Sequence, residues 1–267
     1  MLRCGVQMID VFIISLADAD DRRQSASEQL AEAGIDFRFY DAIRGDAALT
    51  DGHLEACDEE DWVLHCGRSA TAGELGCYAS HRNLWKKCIE LDRPILVMED
   101  DFRLLDGFAD AIGEIERNID RLGFLRLQSE TRARHVKVGA SGDFELRRYT
   151  YAPHSMMCYA IAPRVAKSWV EQTRTVCEPV DVFVKQFWRH GQPIYALAPY
   201  TVTESTLSCD SCIRGRVKES KSIGTALKRF VTKTTWHLKR LRFNFSFSDT
   251  EASRTIRTGA VTETRSR

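Results

Sequence analysis

The chain has 267 residues, 43% of them hydrophobic, with 38 basic and 38 acidic side chains and nine cysteines. That length supports one substantial core, or one domain plus an appendage, and no run approaches the roughly 20 apolar residues of a membrane-spanning helix. The cysteines are odd in number and irregularly spaced, which points to free thiols in a reducing, cytosolic setting rather than to a disulfide framework.

The first strong strand signal is Ile9 to Leu16. Its apolar part, Val11 to Ile14, is too short for a signal peptide and follows Asp10 rather than a basic stretch. A polar turn over Asp18 to Arg23 leads into a helix over Arg22 to Ala33, stopped by Gly34. Phe37 to Tyr40 alternates and predicts a second strand, so the unit reads strand–helix–strand with parallel pairing. Residues 45–70 are polar and carry no clear element. Gly73 to Leu91 places Leu75, Tyr78, Ala79, Leu84, Trp85, Cys88 and Ile89 largely on one helical face. A strand over Pro94 to Met98, a helix over Phe108 to Ile119 and a strand over Phe124 to Leu127 follow. His135–Val138 and Phe144–Leu146 read as a hairpin around Gly139–Gly142. Helices over Ala162 to Val176, with Pro163 in the first turn, and Val182 to His190 precede a last strand, Tyr195 to Ala198.

The strand at Pro94–Met98 ends in Glu99-Asp100-Asp101. Ligands of open α/β sheets bind beyond the carboxyl ends of the strands. Three crowded carboxylates repel one another unless a cation neutralises them, and Mg²⁺ or Mn²⁺ characteristically joins such carboxylates to a substrate diphosphate. The plainer alternative is a solvated acidic turn. Arg22 and Arg23, in the turn after the first strand, suit phosphate recognition.

The block Gly73-Glu74-Leu75-Gly76-Cys77-Tyr78-Ala79-Ser80-His81-Arg82-Asn83-Leu84-Trp85 resembles the Gly-Glu-x-Gly-Cys-x-x-Ser-His-x-x-x-Trp signature of glycosyltransferase family 25, the lipopolysaccharide and lipooligosaccharide sugar transferases. Glu99-Asp100-Asp101 resembles that family's metal motif, Val11–Leu16 with Asp21-Arg22-Arg23 its first strand and nucleotide loop, and Pro179-Val180-Asp181 its later Pro-x-Asp element. Two departures stand out: Ser15 where the family more often has Asn, and Ser211-Cys212-Ile213 at the late Ser-Asp-Ile-like element. The resemblance implies a GT-A-type, Rossmann-like α/β domain with a mostly parallel sheet over residues 8–212. It further implies a UDP-sugar donor, with galactose the leading hexose, inversion at the anomeric carbon, and a lipid-linked oligosaccharide acceptor.

On this reading Glu99 and Asp101 hold Mn²⁺ or Mg²⁺, and Ser15, Arg22, Arg23, Glu74 and Asp100 contact the donor. Asp100 faces the opposite side of the extended chain, where it serves the acceptor or only the fold. Asp181 is the first candidate for the base that deprotonates the acceptor hydroxyl, and His81 the second. Ordinary roles compete: Asp181 as N-cap of the next helix, Glu74 as a first-turn carboxylate, Trp85 and Trp169 as core. His154 and Glu204 are weaker metal-ligand candidates.

From Ile213 to Phe243 ten Lys/Arg stand against one acid, Glu219, so this segment is +9 and the remainder of the neutral chain −9. Within it Ile223, Leu227, Phe230, Leu238 and Leu241 sit at near-helical spacing, so residues 213–245 read as a basic amphipathic helical tail and 246–267 as disordered. An anionic membrane surface is the expected partner, at the cytoplasmic face of the inner membrane; a helix packed on the body and a nucleic-acid contact are the alternatives. Cys209-Asp-Ser-Cys212 has the spacing of a zinc or redox pair without a second pair to support it. Two other functions share the same features: a non-catalytic membrane- or partner-binding member, and a metal-dependent nucleotidyltransferase.

Overall fold

A computed structural model describes residues 9–128, 133–205 and 223–247. The Cys209–Cys212 pair, the Ser211–Ile213 element, the start of the basic tail and residues 248–267 lie outside them.

The strongest apolar run becomes the first strand, β1 (Asp10–Ser15), flanked by β2 (Arg38–Asp41) and β4 (Ile95–Glu99), both parallel to it. Between β1 and β2 lies α1 (Asp20–Glu32), starting two residues before the expected Arg22 and ending as expected before Gly34, whose φ of 67° suits glycine. The polar stretch 45–70 holds three short elements, α2 (Ala47–Thr50), β3 (Ala56–Cys57) and α3 (Glu59–Cys66).

Helix α4 (Ala72–Leu91) explains its own motif. Thr71 caps it, accepting from Glu74 N while the Glu74 carboxylate reaches back to Thr71 N at 3.2 Å. Ser80 Oγ accepts from Ile43 N and donates to Gly76 O, both at 2.8 Å, tying the helix to the 43–45 segment. That segment lies so close that a Cβ on Gly76 would stand 2.4 Å from Ile43 O. Gly76→Ala should therefore force the two backbones apart and lower stability by about 1–3 kcal/mol, read by chemical denaturation.

Beyond β4 come β5 (Phe102–Leu104), α5 (Phe108–Leu122), β6 (Phe124–Arg126) and the hairpin β7 (Arg134–Ser141)–β8 (Phe144–Tyr151). The hairpin is longer than its sequence signal: Gly139 to Ser141 stay in the strand and the turn falls on Gly142-Asp143. Next is a strand without a sequence forecast, β9 (Cys158–Ile161). The expected helix over Ala162 to Val176 ends early as α6 (Pro163–Gln172), followed by β10 (Thr175–Val176), which pairs with β3. The expected helix over Val182 to His190 is two pieces, α7 (Val180–Lys185) and α8 (Phe187–His190). Strands β11 (Tyr195–Ala198) and β12 (Val202–Glu204) complete the body.

The main sheet has the order β2-β1-β4-β9-β6-β11-β8-β7. It is parallel in its first part, as expected, but mixed overall, because β9 runs antiparallel to both β4 and β6 and the hairpin adds antiparallel pairs. Alternate residues feed two cores. Phe12, Ile14, Val97, Phe124 and Tyr159 pack with α4, α6 and α7; Val11, Ile13, Leu96, Met98 and Leu125 pack with α1 and α5. The domain is thus a three-layer α/β/α sandwich, with Trp85 and Trp169 fully buried in the first core, 5.1 Å apart between ring centroids.

Helix α9 (Ile223–Ser246) packs on this body. Arg229 is buried and donates to Val63 O at 2.6 Å, Trp236 meets the His65 ring at 4.8 Å, and Phe243 meets Phe187 at 5.1 Å. Beneath it the buried Glu178 carboxylate accepts from Gln186 at 2.7 Å and Arg189 at 2.6 Å and lies 2.9 Å from His65. Burial disfavours charge on His65, but its interactions with the Cys177 side chain and with Glu178 outweigh that and lift it to about 10. The opposite face of α9 exposes Leu227, Phe230, Val231, Leu238 and Phe245.

Candidate active site

The sheet brings several chain segments to one edge. Ile14 pairs with Glu99, Met98 with Cys158, and Arg126 with Tyr159. The end of β1, the acidic triplet, the end of β6 and the entry to β9 therefore stand side by side at the carboxyl ends of the parallel strands, where open α/β sheets bind ligands.

Asp100 turns toward β1. Its carboxylate accepts from Ser15 Oγ at 2.6 Å and from Arg22 Nη1 at 3.0 Å. Burial raises its pKa against the pull of both partners. Arg23 serves the turn: it donates to Leu16 O at 3.0 Å and Ser15 O at 3.1 Å, pairs with Asp41, and stacks over Phe39. Its guanidinium fixes the β1–α1 connection. Glu74 is likewise engaged within the protein. Its carboxylate is committed to the α4 cap and to a bidentate pair with Arg68, which, against the opposing effect of burial, holds it below the usual range.

Glu99 is reached through a relay that begins in the core. Trp85 Nε1 donates to Tyr159 Oη at 3.0 Å, Tyr159 Oη lies 3.0 Å from His81 Nδ1, and His81 Nε2 lies 3.1 Å from Glu99. An indole N–H can only donate, so in the neutral imidazole Tyr159 donates to Nδ1 and Nε2–H points at Glu99. With its ring 1% exposed, His81 orients a carboxylate and has no free nitrogen for a base's work. Both ring nitrogens of His81, the second base candidate, are thus engaged in this relay.

Asp101 is the most perturbed acid at this edge. Burial first, then the fields of Glu99, Asp100 and Glu204, push its carboxyl up to about 7. Its Oδ1 is buried and has no hydrogen-bond partner among the described residues. Glu204 arrives because β12 pairs with β5, setting Glu204 opposite Phe102, and Ser205 N donates to Asp101 O at 2.8 Å. An unsatisfied buried carboxylate oxygen amid three further acids fits a hard divalent cation. The Cys77 thiol, the His81 ring and Glu99 also present donor atoms within 4.8 Å of one another. Burial pushes the Cys77 thiol far above its ordinary value, so it stays protonated, and oxygen ligation through Glu99 and Asp101 remains the better seat.

The Cys77 thiol feels the charges of Glu99, Asp181, Glu74 and Asp101 together, so Asp181 lies within electrostatic reach of the same thiol as the triplet. Asp181 sits in the first turn of α7, whose N-cap is Pro179, so it is not the N-cap. Burial works to raise its pKa, but His154 and the Ser155 and Val182 N–H groups hold it below the usual range. His154 Nδ1 lies 3.0 Å from Asp181, and Lys185 Nζ lies 2.7 Å from His154 Nε2. The loop carrying His154 is rigid. The buried Arg126 donates to Pro153 O at 3.1 Å and His154 O at 3.2 Å and also to Ser155 O, while Ser155 is held at a φ of 85°. His154, weighed in the sequence as a metal ligand, is thus a partner of Asp181, whereas Glu204 does stand beside Asp101. Tyr159 carried no sequence signal at all.

A family model described as glycosyltransferase family 25 (LPS biosynthesis protein) matches residues 8–184. Over 99 residues, 35% of this chain, the sequence is 35% identical to procollagen galactosyltransferase 1-B of Xenopus laevis, covering 16% of that protein. It is 34% identical over 99 residues, 37% of this chain, to lipooligosaccharide biosynthesis protein lic2B of Haemophilus influenzae, covering 35% of it. It is also 34% identical over 114 residues, 40% of this chain, to the human inactive glycosyltransferase 25 family member 3, covering 18% of it. The chain therefore spans between about a sixth and about a third of the curated relatives it matches.

Proposed function

The chain belongs to glycosyltransferase family 25, and from that premise we propose that it moves a hexose, galactose first, from a UDP-sugar to a lipooligosaccharide-type acceptor with inversion on a GT-A-type domain. The observation that carries the metal-dependent reading is Asp101, a half-buried carboxylate lifted to about 7 beside Glu99 and Glu204, with one buried oxygen that has no partner among the described residues. Glu99 and Asp101 would hold Mn²⁺ or Mg²⁺, which supplies charge neutralisation for the departing diphosphate. Arg22 and Ser15 fix Asp100 at the mouth of β1, a wall for the nucleotide. Asp181, ionised at neutral pH, takes the proton from the acceptor hydroxyl in a single in-line displacement. Inversion needs no protein nucleophile, so one carboxylate suffices there.

The outward apolar row of α9, with Lys228, Lys239 and Arg242 exposed beside it, supports docking on an anionic membrane at its cytoplasmic face, where a lipid-linked acceptor resides. Packing of the opposite face on the body is compatible with that role. Among the described residues no helix is long and apolar enough to cross a membrane.

The test is a panel of UDP-sugars incubated with Mn²⁺ and a lipooligosaccharide acceptor, followed by UDP release. Acceptor-dependent release of UDP, fastest with UDP-galactose, is expected; pyrophosphate release would indicate nucleotidyl transfer instead. The inactive human relative favours one second reading, a non-catalytic member. Calorimetry separates the two: metal-linked UDP binding accompanies the transferase, and its absence accompanies the binding-only protein.

A further inference from the structure

Between the β7–β8 hairpin and α9 lies a cavity of about 500 Å³, within the size range of small-molecule sites. Arg134, Thr150 and Tyr151 line it from the body, and His237, Arg240 and Asn244 from the helix. We propose that this cavity binds the phosphate group of a phosphate ester.

Its charge is one-sided. Among the described residues two arginines line it and no carboxylate does, and α9 carries six Lys/Arg and no acid. Arg134 and Arg240 have no acidic partner among the described residues. Burial and the repulsion of Arg134 both lower the pKa of Arg240, despite help from Tyr151. An anion between them relieves that repulsion.

The walls are preorganised. Arg240 lies over the Tyr151 ring, 4.6 Å from its centroid, and donates to His237 Nδ1 at 2.8 Å. Asn244 clamps the helix to β8, accepting from Arg148 at 3.1 Å and donating to Thr150 O at 3.0 Å. A guanidinium held over an aromatic ring keeps its fork of N–H groups available at the rim, and such a fork can grip two phosphate oxygens. Ala133, Leu241 and the Tyr151 ring supply apolar surface for the rest of the ester.

The site also adjoins the chemistry. Lys185 Nζ lies 5.5 Å from the Tyr151 ring centroid and touches His154, which bonds Asp181. Lys185 and His154 thus link the Tyr151 wall of the cavity to Asp181. The source of the phosphate is either a lipid headgroup or a soluble phosphosugar, and one experiment distinguishes them.

Glycerol 3-phosphate is titrated into the full chain, and flotation is measured with phosphatidylcholine vesicles with and without phosphatidic acid. The double variant Arg134→Gln/Arg240→Gln is expected to bind glycerol 3-phosphate about tenfold more weakly or worse, with an unchanged melting temperature. Lys228→Gln/Lys239→Gln, which changes exposed cations outside the cavity, should leave that affinity intact. A lipid source shows as phosphatidic-acid-dependent flotation that glycerol 3-phosphate competes away and the double variant loses. A soluble source shows as glycerol 3-phosphate binding with flotation unaltered by the double variant. Undetectable glycerol 3-phosphate binding, or equal weakening by the lysine control, overturns the proposal. None of these outcomes depends on sugar transfer, so the site stands or falls apart from the reaction.

Discussion

Asp101→Asn should make the metal-free protein more stable at neutral pH while removing its metal-dependent turnover. The carboxyl of Asp101 rises from 3.8 to about 7 on folding. Between those values the native state holds a proton that the unfolded chain has released, so stability falls as pH rises through roughly 4 to 7. The loss is at most about 4 kcal/mol, one pKa unit being worth about 1.4 kcal/mol. Asparagine carries no charge, so its melting temperature should stay flat across that window. Mn²⁺ should restore stability to the wild type above pH 7, because it binds the ionised form, and should do nothing for the variant. Acceptor-dependent UDP release should fall by roughly a thousandfold or more, the scale of several kcal/mol of lost charge stabilisation. Full activity in the variant would detach the cation from this acid.

Asp181→Asn should lower kcat by roughly 10²–10⁴-fold and leave calorimetric binding of UDP with Mn²⁺ unchanged. The amide keeps an oxygen for the Ser155 N–H contact, 3.4 Å in the wild type, so the loop should hold its place. The folded-state pKa of Asp181 is depressed, so its stabilising contact with His154 is present above the ordinary carboxylate value and is lost as the solution is acidified. Asp181 therefore contributes no neutral limb to the pH–rate profile. A limb near 7 at low metal belongs to Asp101 and should move to lower pH as Mn²⁺ is raised. A variant that binds UDP and retains kcat would move the base's role to another group, with His154 next in line.

Long periodic elements were legible from residue pattern alone. Ile9–Leu16, Gly73–Leu91 and Phe108–Ile119 each carry an apolar set at one period, and each appears within a few residues of its expected limits. Short elements were not. Residues 45–70 have too few apolar positions per element to set a period, and β3 exists only because β10 pairs with it. The β9 segment, Cys158-Tyr159-Ala160-Ile161, is buried on both faces, so it lacks the alternation that marks a half-buried strand. Missing β9 also meant missing Tyr159 and the antiparallel pairing. Within the site, the acids were visible because Glu99, Asp100 and Asp101 are consecutive. Their division of labour was not, since it depends on Ser15 and Arg22 taking Asp100 and on β12 delivering Glu204. The role of Gly76 was hidden for the same reason: the Ile43 backbone that crowds it is 33 positions away.

The position of β9 bears on how the protein emerges from the ribosome. Synthesis runs from the N-terminus, so β1, β2, β4 and β6 are all made before the strand that joins β4 to β6. Until residue 161 is out, the β4 rim that ends in the acidic triplet is bare, and β6 has neither of its sheet neighbours, β9 and β11. The catalytic edge therefore takes shape late in synthesis, when β9 slots between β4 and β6.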